Sequence, residues 1–212
     1  MVRLVVLAAG ESKRMGAPKA LLPDGAGRLF ITRVLHTFCA AGLTDLTVVT
    51  GTLHEPIVRA VAADPPRAVV RFARNPDPGR GQLSSVLTGL DEADAPGVSA
   101  ILLTLVDVPF VATATVRTVV DAFERTRAPI VRPMARRSGE AAEAGVRDDR
   151  HGHPVLFARS LFDELRRADP ALGAKAVVRA HATRILNLEI DDEGALLDLD
   201  THDEYERAVR SS

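Results

Sequence analysis

The stretch from Leu7 to Lys19 reads LAAGESKRMGAPK and follows the mostly apolar run Val2-Arg3-Leu4-Val5-Val6. It holds two glycines, Gly10 and Gly16, and three cations, Lys13, Arg14 and Lys19. Small residues let backbone N–H groups come close to an anion, and cations neutralise its charge. The chemistry this points to is phosphate handling. Spacing excludes two common devices. The dinucleotide fingerprint needs G-x-G-x-x-G, but five residues separate Gly10 from Gly16. A P-loop needs Lys and then Ser or Thr directly after its second glycine, but Ala17 and Pro18 intervene and Ala20 follows Lys19.

Carboxylates able to hold a divalent cation lie downstream. Val106-Asp107-Val108-Pro109 follows the apolar run Ala100–Leu105, and ligands of open α/β sheets bind beyond the carboxyl ends of strands. A nucleoside triphosphate brings Mg²⁺ on its phosphates, so one or two protein carboxylates suffice. Asp before X-Pro is also an ordinary turn. In Asp198-Leu199-Asp200-Thr201, alternation along a short strand would put both carboxylates on one face. The competing reading makes Asp200 a cap of the final helix together with Thr201.

Asn75-Pro76 and Gly81-Gln82-Leu83-Ser84-Ser85 place amide and hydroxyl groups where a helix begins, suited to reading a base edge or sugar, or simply to capping. His151-Gly152-His153-Pro154 invites a metal reading, but no third ligand has suitable spacing.

The pattern L-A-A-G-x-S-x-R-M-G-x-P-K resembles the signature loop of the MobA-like nucleotidyltransferases, in particular the branch acting on the molybdenum cofactor with cytidine. The resemblance runs from Leu4 to about Tyr205. It implies an α/β/α three-layer sandwich with a mainly parallel, Rossmann-like sheet of the nucleotide-diphospho-sugar transferase type. It implies transfer of a nucleoside monophosphate to an acceptor phosphate, with release of pyrophosphate. Arg14, Lys19 and Asp107 would be catalytic. Leu7, Ala8, Ala9, Gly10, Ser12, Arg14, Lys19, Asn75, Gly81, Gln82, Ser84 and Ser85 would bind the nucleotide.

Asp107, Asp200 and then Asp198 would bind Mg²⁺ (or Mn²⁺), although Val106 stands where the family often has Gly. Gly152, His153 and Pro154 match a G-H-P segment near the family's acceptor pocket. Gly173-Ala174-Lys175 matches G-A-R with Lys175 for Arg, and Lys lacks the bidentate fork of Arg. Ala9, where the guanosine-using branch has Gly, implies CTP, and molybdopterin cytosine dinucleotide as product. The same chemistry on a sugar, alcohol or lactate phosphate, or with GTP, stays open, as does a non-catalytic nucleotide-binding regulator. A molybdoenzyme or its chaperone would be the protein partner.

Composition sets the remaining bounds. The chain has 212 residues with 27 Lys and Arg against 28 Asp and Glu, so no global field favours nucleic acid or membrane. The apolar start stops at Ala9, too short for a signal peptide, and Cys39 is the only cysteine, read as a buried thiol. A cytoplasmic protein is expected. One domain is expected over residues 1–212, the nucleotide half within 1–110 and the acceptor half within 111–212.

The elements that must position these groups alternate. Strands are expected at Arg3–Leu7, Asp45–Thr50, Ala68–Ala73, Ala100–Leu105, Pro129–Arg132, Pro154–Phe157 and Leu196–Leu199. Helices are expected at Phe30–Ala41, Glu55–Ala63, Leu83–Ala93, Thr113–Arg125, Leu161–Arg167, Ala174–Ala180 and His202–Val209. Met134–Asp149 reads as a mobile loop, and Asp148-Asp149 and Asp191-Asp192 as solvated turns.

Overall fold

The computed structural model describes residues 1–10, 15, 17–135 and 150–210. Seven strands form one sheet in the order β3-β2-β1-β4-β6-β5-β7. They are β1 (Val2–Ala8), β2 (Asp45–Thr50), β3 (Val69–Arg74), β4 (Ala100–Leu105), β5 (Ile130–Ala135), β6 (Val155–Ala158) and β7 (Ile185–Ile190). β1 pairs in parallel with β2 and β4, so Val5 lies opposite Thr47 on one side and Leu103 on the other. β6 alone reverses, antiparallel to both β4 and β5, while β5 and β7 are parallel.

Alternation along β1 explains the two cores. Leu4, Val6 and Ala8 face one layer; Val5, Leu7 and Ala9 face the other. The first layer holds α1 (Phe30–Ala40), α2 (His54–Ala63) and α4 (Thr113–Thr126). The expected apolar stripe of α1 is fully buried there, with Ile31, Val34, Leu35 and Phe38 all at 0% exposure. The second layer holds α3 (Gln82–Ala93), α5 (Phe162–Arg167) and α6 (Ala174–Ala180). Sheet and helices make the expected three layers.

One strand went unexpected, and three expectations are corrected. Residues Ile185–Ile190 form β7, an edge strand whose exposed Asn187 and Glu189 dilute its apolar pattern. Leu196–Leu199 is not a strand: Glu193–Leu196 is a short helix, α7, and residues 197–200 have no ladder pairing. Cys39 is half-buried rather than buried. Asp192 is no idle turn residue, since its Oδ2 accepts from the Ala112 N–H and the Thr115 hydroxyl. Of the segment read as a loop, Met134 and Ala135 complete β5, and residues 136–149 lie outside the described residues. The last helix, α8, spans His202–Arg210.

Candidate active site

The chain builds β1, β2 and β3 in one direction across the sheet, then returns to place β4 beside β1. The crevice between the carboxyl ends of β1 and β4 is therefore a topological switch point, where such sheets bind ligands. A cavity of about 480 Å³ lies there. Its walls include Leu7, Ala8, Ala9 and Gly10 after β1, Leu105, Val106 and Asp107 after β4, Gln82 and Ser85 at the start of α3, and Lys19 and Asp200. Ser12, Arg14, Lys13 and Gly16 lie outside the described residues.

Lys19 opens a single turn of 3₁₀ helix, Lys19–Leu21. Its Nζ donates to Asp107 Oδ2 at 2.9 Å and to Asp200 Oδ1 at 2.7 Å. Burial alone would depress the Lys19 ammonium. The hydrogen bond to Asp200 and the charge and hydrogen bond of Asp107 outweigh burial and hold the lysine above its ordinary value.

Backbone bonds hold the carboxylates in place. Val106 N–H donates to the Leu7 carbonyl at 3.1 Å, extending the β1–β4 pairing past the strand, and Asp107 tops the turn that follows. Leu199, fully buried, donates its N–H to the Asp107 carbonyl at 3.0 Å. That bond, not strand alternation, brings Asp198 and Asp200 to this edge. Thr201 rather than Asp200 caps α8, accepting from Glu204 N–H at 3.3 Å.

Asp198 is held above the usual carboxylate value by desolvation and by the like charges of Asp107 and Asp200, against the opposing effects of His153 and Lys19. His153 is pushed down by desolvation, opposed by Asp198, the Leu103 carbonyl and Asp107. Among the described residues, three carboxylates thus gather around the Lys19 ammonium. Asp107 Oδ1 is buried with no hydrogen-bond partner among the described residues. An orphaned carboxylate oxygen in an electronegative cluster fits a divalent cation. Among the described residues no set of three or more His, Cys, Asp or Glu side chains is spaced to hold a metal alone. An ion there would take further oxygens from phosphate and water, as Mg²⁺ does.

The residues expected to bind a nucleotide divide in their placement. Gln82 and Ser85 reach the cavity, whereas Asn75, Gly81 and Ser84 are not among its lining residues. Asn75, 3% exposed, donates from Nδ2 to the hydroxyls of Ser84 and Ser85, both at 2.9 Å, and accepts from Asp77 N–H. It shapes the loop that leads into α3. Gly81 precedes that helix with φ +95°, a conformation open mainly to glycine. Sequence reasoning passed over Gly51, Leu53, Pro78 and Gly79. A Cβ on Gly51 would come within 2.7 Å of the Ala9 carbonyl, so glycine there lets the loop after β2 close against the one after β1. Its position after a strand's carboxyl end was the available signal.

Of the residues expected to meet an acceptor, Gly152, His153 and Pro154 lie at the amino end of reversed β6, level with the carboxyl ends of β4 and β5. Gly152 packs so closely that a Cβ would collide with the Ala195 carbonyl, which also accepts from His153 N–H at 2.8 Å. His151 Nε2 pairs with Arg132 at 2.9 Å, and His153 Nδ1 lies 3.5 Å from the Leu103 carbonyl, so the two imidazoles have separate partners. Lys175 is exposed on α6 and is not among the residues lining the cavity.

Comparison with known proteins gives the family and the fold. Residues 4–185 match the model of the MobA-like NTP transferase domain. The chain is 29% identical over 210 residues to nicotine blue oxidoreductase of Paenarthrobacter nicotinovorans, covering 97% of this chain and 95% of that protein. It is 32% identical over 127 residues to a probable molybdenum cofactor guanylyltransferase of Rhodopirellula baltica, 60% of this chain and 58% of that one. The crystal structure of Rv0371c from Mycobacterium tuberculosis superposes with a TM-score of 0.77 at 28% identity, covering 100% and 99% of the two chains, and was also solved in complex with manganese. The sheet and its flanking helices have the nucleotide-diphospho-sugar transferase fold, and the chain belongs to the MobA-like NTP transferase family.

Proposed function

We propose that this protein transfers CMP from CTP to the phosphate of molybdopterin, releasing pyrophosphate, with Mg²⁺ as its cation. The observation that carries the reading is the Lys19 ammonium held between Asp107 and Asp200 on the wall of the switch-point cavity. A nucleoside triphosphate needs cationic groups on its phosphates and carboxylates for its cation, and both meet at this point.

An acceptor phosphate oxygen attacks the α-phosphorus, the bond to the bridging oxygen breaks, and pyrophosphate leaves with the electron pair. Asp107 and Asp200, with Asp198 beside them, would hold the cation, which supplies positive charge between triphosphate and acceptor. Lys19 neutralises charge on the triphosphate and on departing pyrophosphate, with Arg14 in the same role. Small residues at Ala8, Ala9 and Gly10 leave room for the nucleotide to lie on the backbone, and Ala9 favours cytosine over guanine. Gln82 and Ser85 contact base or sugar, and Asn75, Gly81 and Ser84 support them. Gly152, His153, Pro154 and Lys175 belong to the acceptor half within residues 111–212. A molybdoenzyme or its chaperone in the cytoplasm would take the product.

The test is pyrophosphate release with each of the four nucleoside triphosphates, Mg²⁺, and a panel of acceptors including molybdopterin and sugar, alcohol and lactate phosphates. Turnover with CTP and molybdopterin supports the reading. Turnover with another acceptor or with GTP moves the specificity and keeps the chemistry. Tight CTP binding without turnover on any acceptor removes it.

A second reading rests on the full-length similarity to nicotine blue oxidoreductase. Reduction of nicotine blue by the same preparation, measured with an added electron donor, would favour it.

A further inference from the structure

Asp200 reaches the cavity from a segment with no ladder bonds of its own, and that segment lies beyond the residues matched by the family model. Something must hold its backbone. Glu204 Oε2 accepts the N–H of Thr201 at 2.8 Å and also the N–H of Asp200 at 2.9 Å. A capping box accounts for the first bond: Thr201 caps α8 and the glutamate three residues on reaches back to the cap's own N–H. It does not account for the second, which falls one residue before the cap.

That extra bond is made where three other carboxylates already gather, so a fourth acidic group is tolerated close to like charge. The helix that carries Glu204 is itself anchored next to the Lys19 turn. Tyr205 donates its hydroxyl to the Pro23 carbonyl at 3.0 Å and packs its ring on Phe30 at 5.8 Å between centroids.

We propose that Glu204 is a positioning residue for the cation site: by holding the Asp200 N–H it sets the Asp200 carboxylate opposite Asp107. With residue 200 clamped on one side by Glu204 and residue 199 tied to the Asp107 carbonyl, only the two side-chain torsions of Asp200 remain to be set. Lys19 sets them in this structure. When the lysine turns to a triphosphate, the clamp keeps the Asp200 backbone where it was, and the carboxylate has only those torsions to adjust to meet the cation. Groups behind metal ligands act in this way, and losing one typically weakens metal binding by roughly 10–100-fold.

This inference rests on the reading of Asp200 as a cation ligand, and the experiment separates the two. Mn²⁺ binding to the full chain is measured by electron paramagnetic resonance, with CTP present, for wild type, E204A, E204Q, T201A and D200A. Circular dichroism checks the fold of each variant. E204A should weaken Mn²⁺ by about tenfold. E204Q, which keeps an acceptor oxygen, should recover most of that loss. T201A, which removes the cap but leaves the Asp200 bond, should bind Mn²⁺ nearly as wild type while losing thermal stability. Wild-type binding by E204A, or equal losses in T201A and E204A, would overturn the proposal while D200A still binds weakly. Wild-type binding by D200A would overturn the ligand assignment and the positioning role with it.

Discussion

Lys19 and Asp107 stand 88 residues apart in the chain and 2.9 Å apart in space, joined across the mouth of the switch-point crevice. The pair ties the turn after the first loop to the end of β4, and Asp200 joins it from the opposite side. A triphosphate and its cation would have to divide this arrangement between them, the phosphates taking the ammonium and the cation the carboxylates.

Asp107→Ala should abolish nucleotidyl transfer while leaving the protein folded. The carboxylate sits in a cluster of three acidic groups, so its removal relieves repulsion as it removes the ion pair, and the melting temperature should change little. Pyrophosphate release and a thermal melt check both parts. Appreciable turnover in this variant contradicts the role assigned to it.

Lys19→Ala should lower kcat by about 10²–10³-fold, the scale of losing a preorganised donor to developing charge. It should also bind Mn²⁺ more tightly than wild type when no nucleotide is present, because the ammonium no longer competes for the two carboxylates. Metal titration without nucleotide reads the second effect independently of turnover. Weaker Mn²⁺ binding in the variant would show that lysine and cation do not share the site.

Acid should weaken the fold partly through Asp24, which is 3% exposed. Burial opposes its ionisation, but Arg33 at 2.9 Å and the backbone N–H groups of Arg28 and Ala26 outweigh it and hold the carboxyl below the usual range. A folded value below the unfolded one of about 3.9 contributes stability above that pH, and the contribution is lost as pH falls through the folded value. Asp24→Asn should therefore differ most from wild type in denaturant midpoint near neutral pH. The gap should close below about pH 4. A gap that persists at low pH would point to packing instead.

Gly89 sits where α3 meets the sheet, and a Cβ there would collide with Val5 and come within 2.8 Å of Val49 Cγ2. Gly89→Ala should cost roughly 1–3 kcal/mol of stability through overpacking. It should also push the start of α3, with Gln82 and Ser85, away from the cavity, raising KM for the nucleotide. A melt together with nucleotide titration tests it; unchanged values in both would mean the helix yields without cost.

Much of the architecture was legible because burial writes a strong period. The run of β4, buried from Ala100 to Thr104, and the stripe of α1 are examples. β7 was not legible because Asn187 and Glu189 alternate with half-buried leucines at a sheet edge, where a core-facing pattern is weak. Leu196–Leu199 misled in the opposite way: its leucines look strand-like, but Leu199 is buried against the Asp107 turn instead of another strand.

At the site, small residues and charges could be read from type and spacing. The inward commitment of Asn75 to Ser84 and Ser85 could not, because an amide has the same composition whether it faces a base or a loop. Glu204 was invisible for a similar reason, its role lying in which backbone N–H groups it meets.

The strands β5 and β6 leave and re-enter the sheet at the same rim, level with the end of β4. Their junction is closed by the Ala135 N–H to Arg150 carbonyl bond at 3.0 Å and by the bridge between Met134 and His151. Main-chain bonds therefore lock the end of β5 and the start of β6 together at this rim, whatever side chains stand there. On the proposed reading, this stem belongs to the half that takes the acceptor, so exchanging residues there would alter the attacking molecule before it altered the nucleotide.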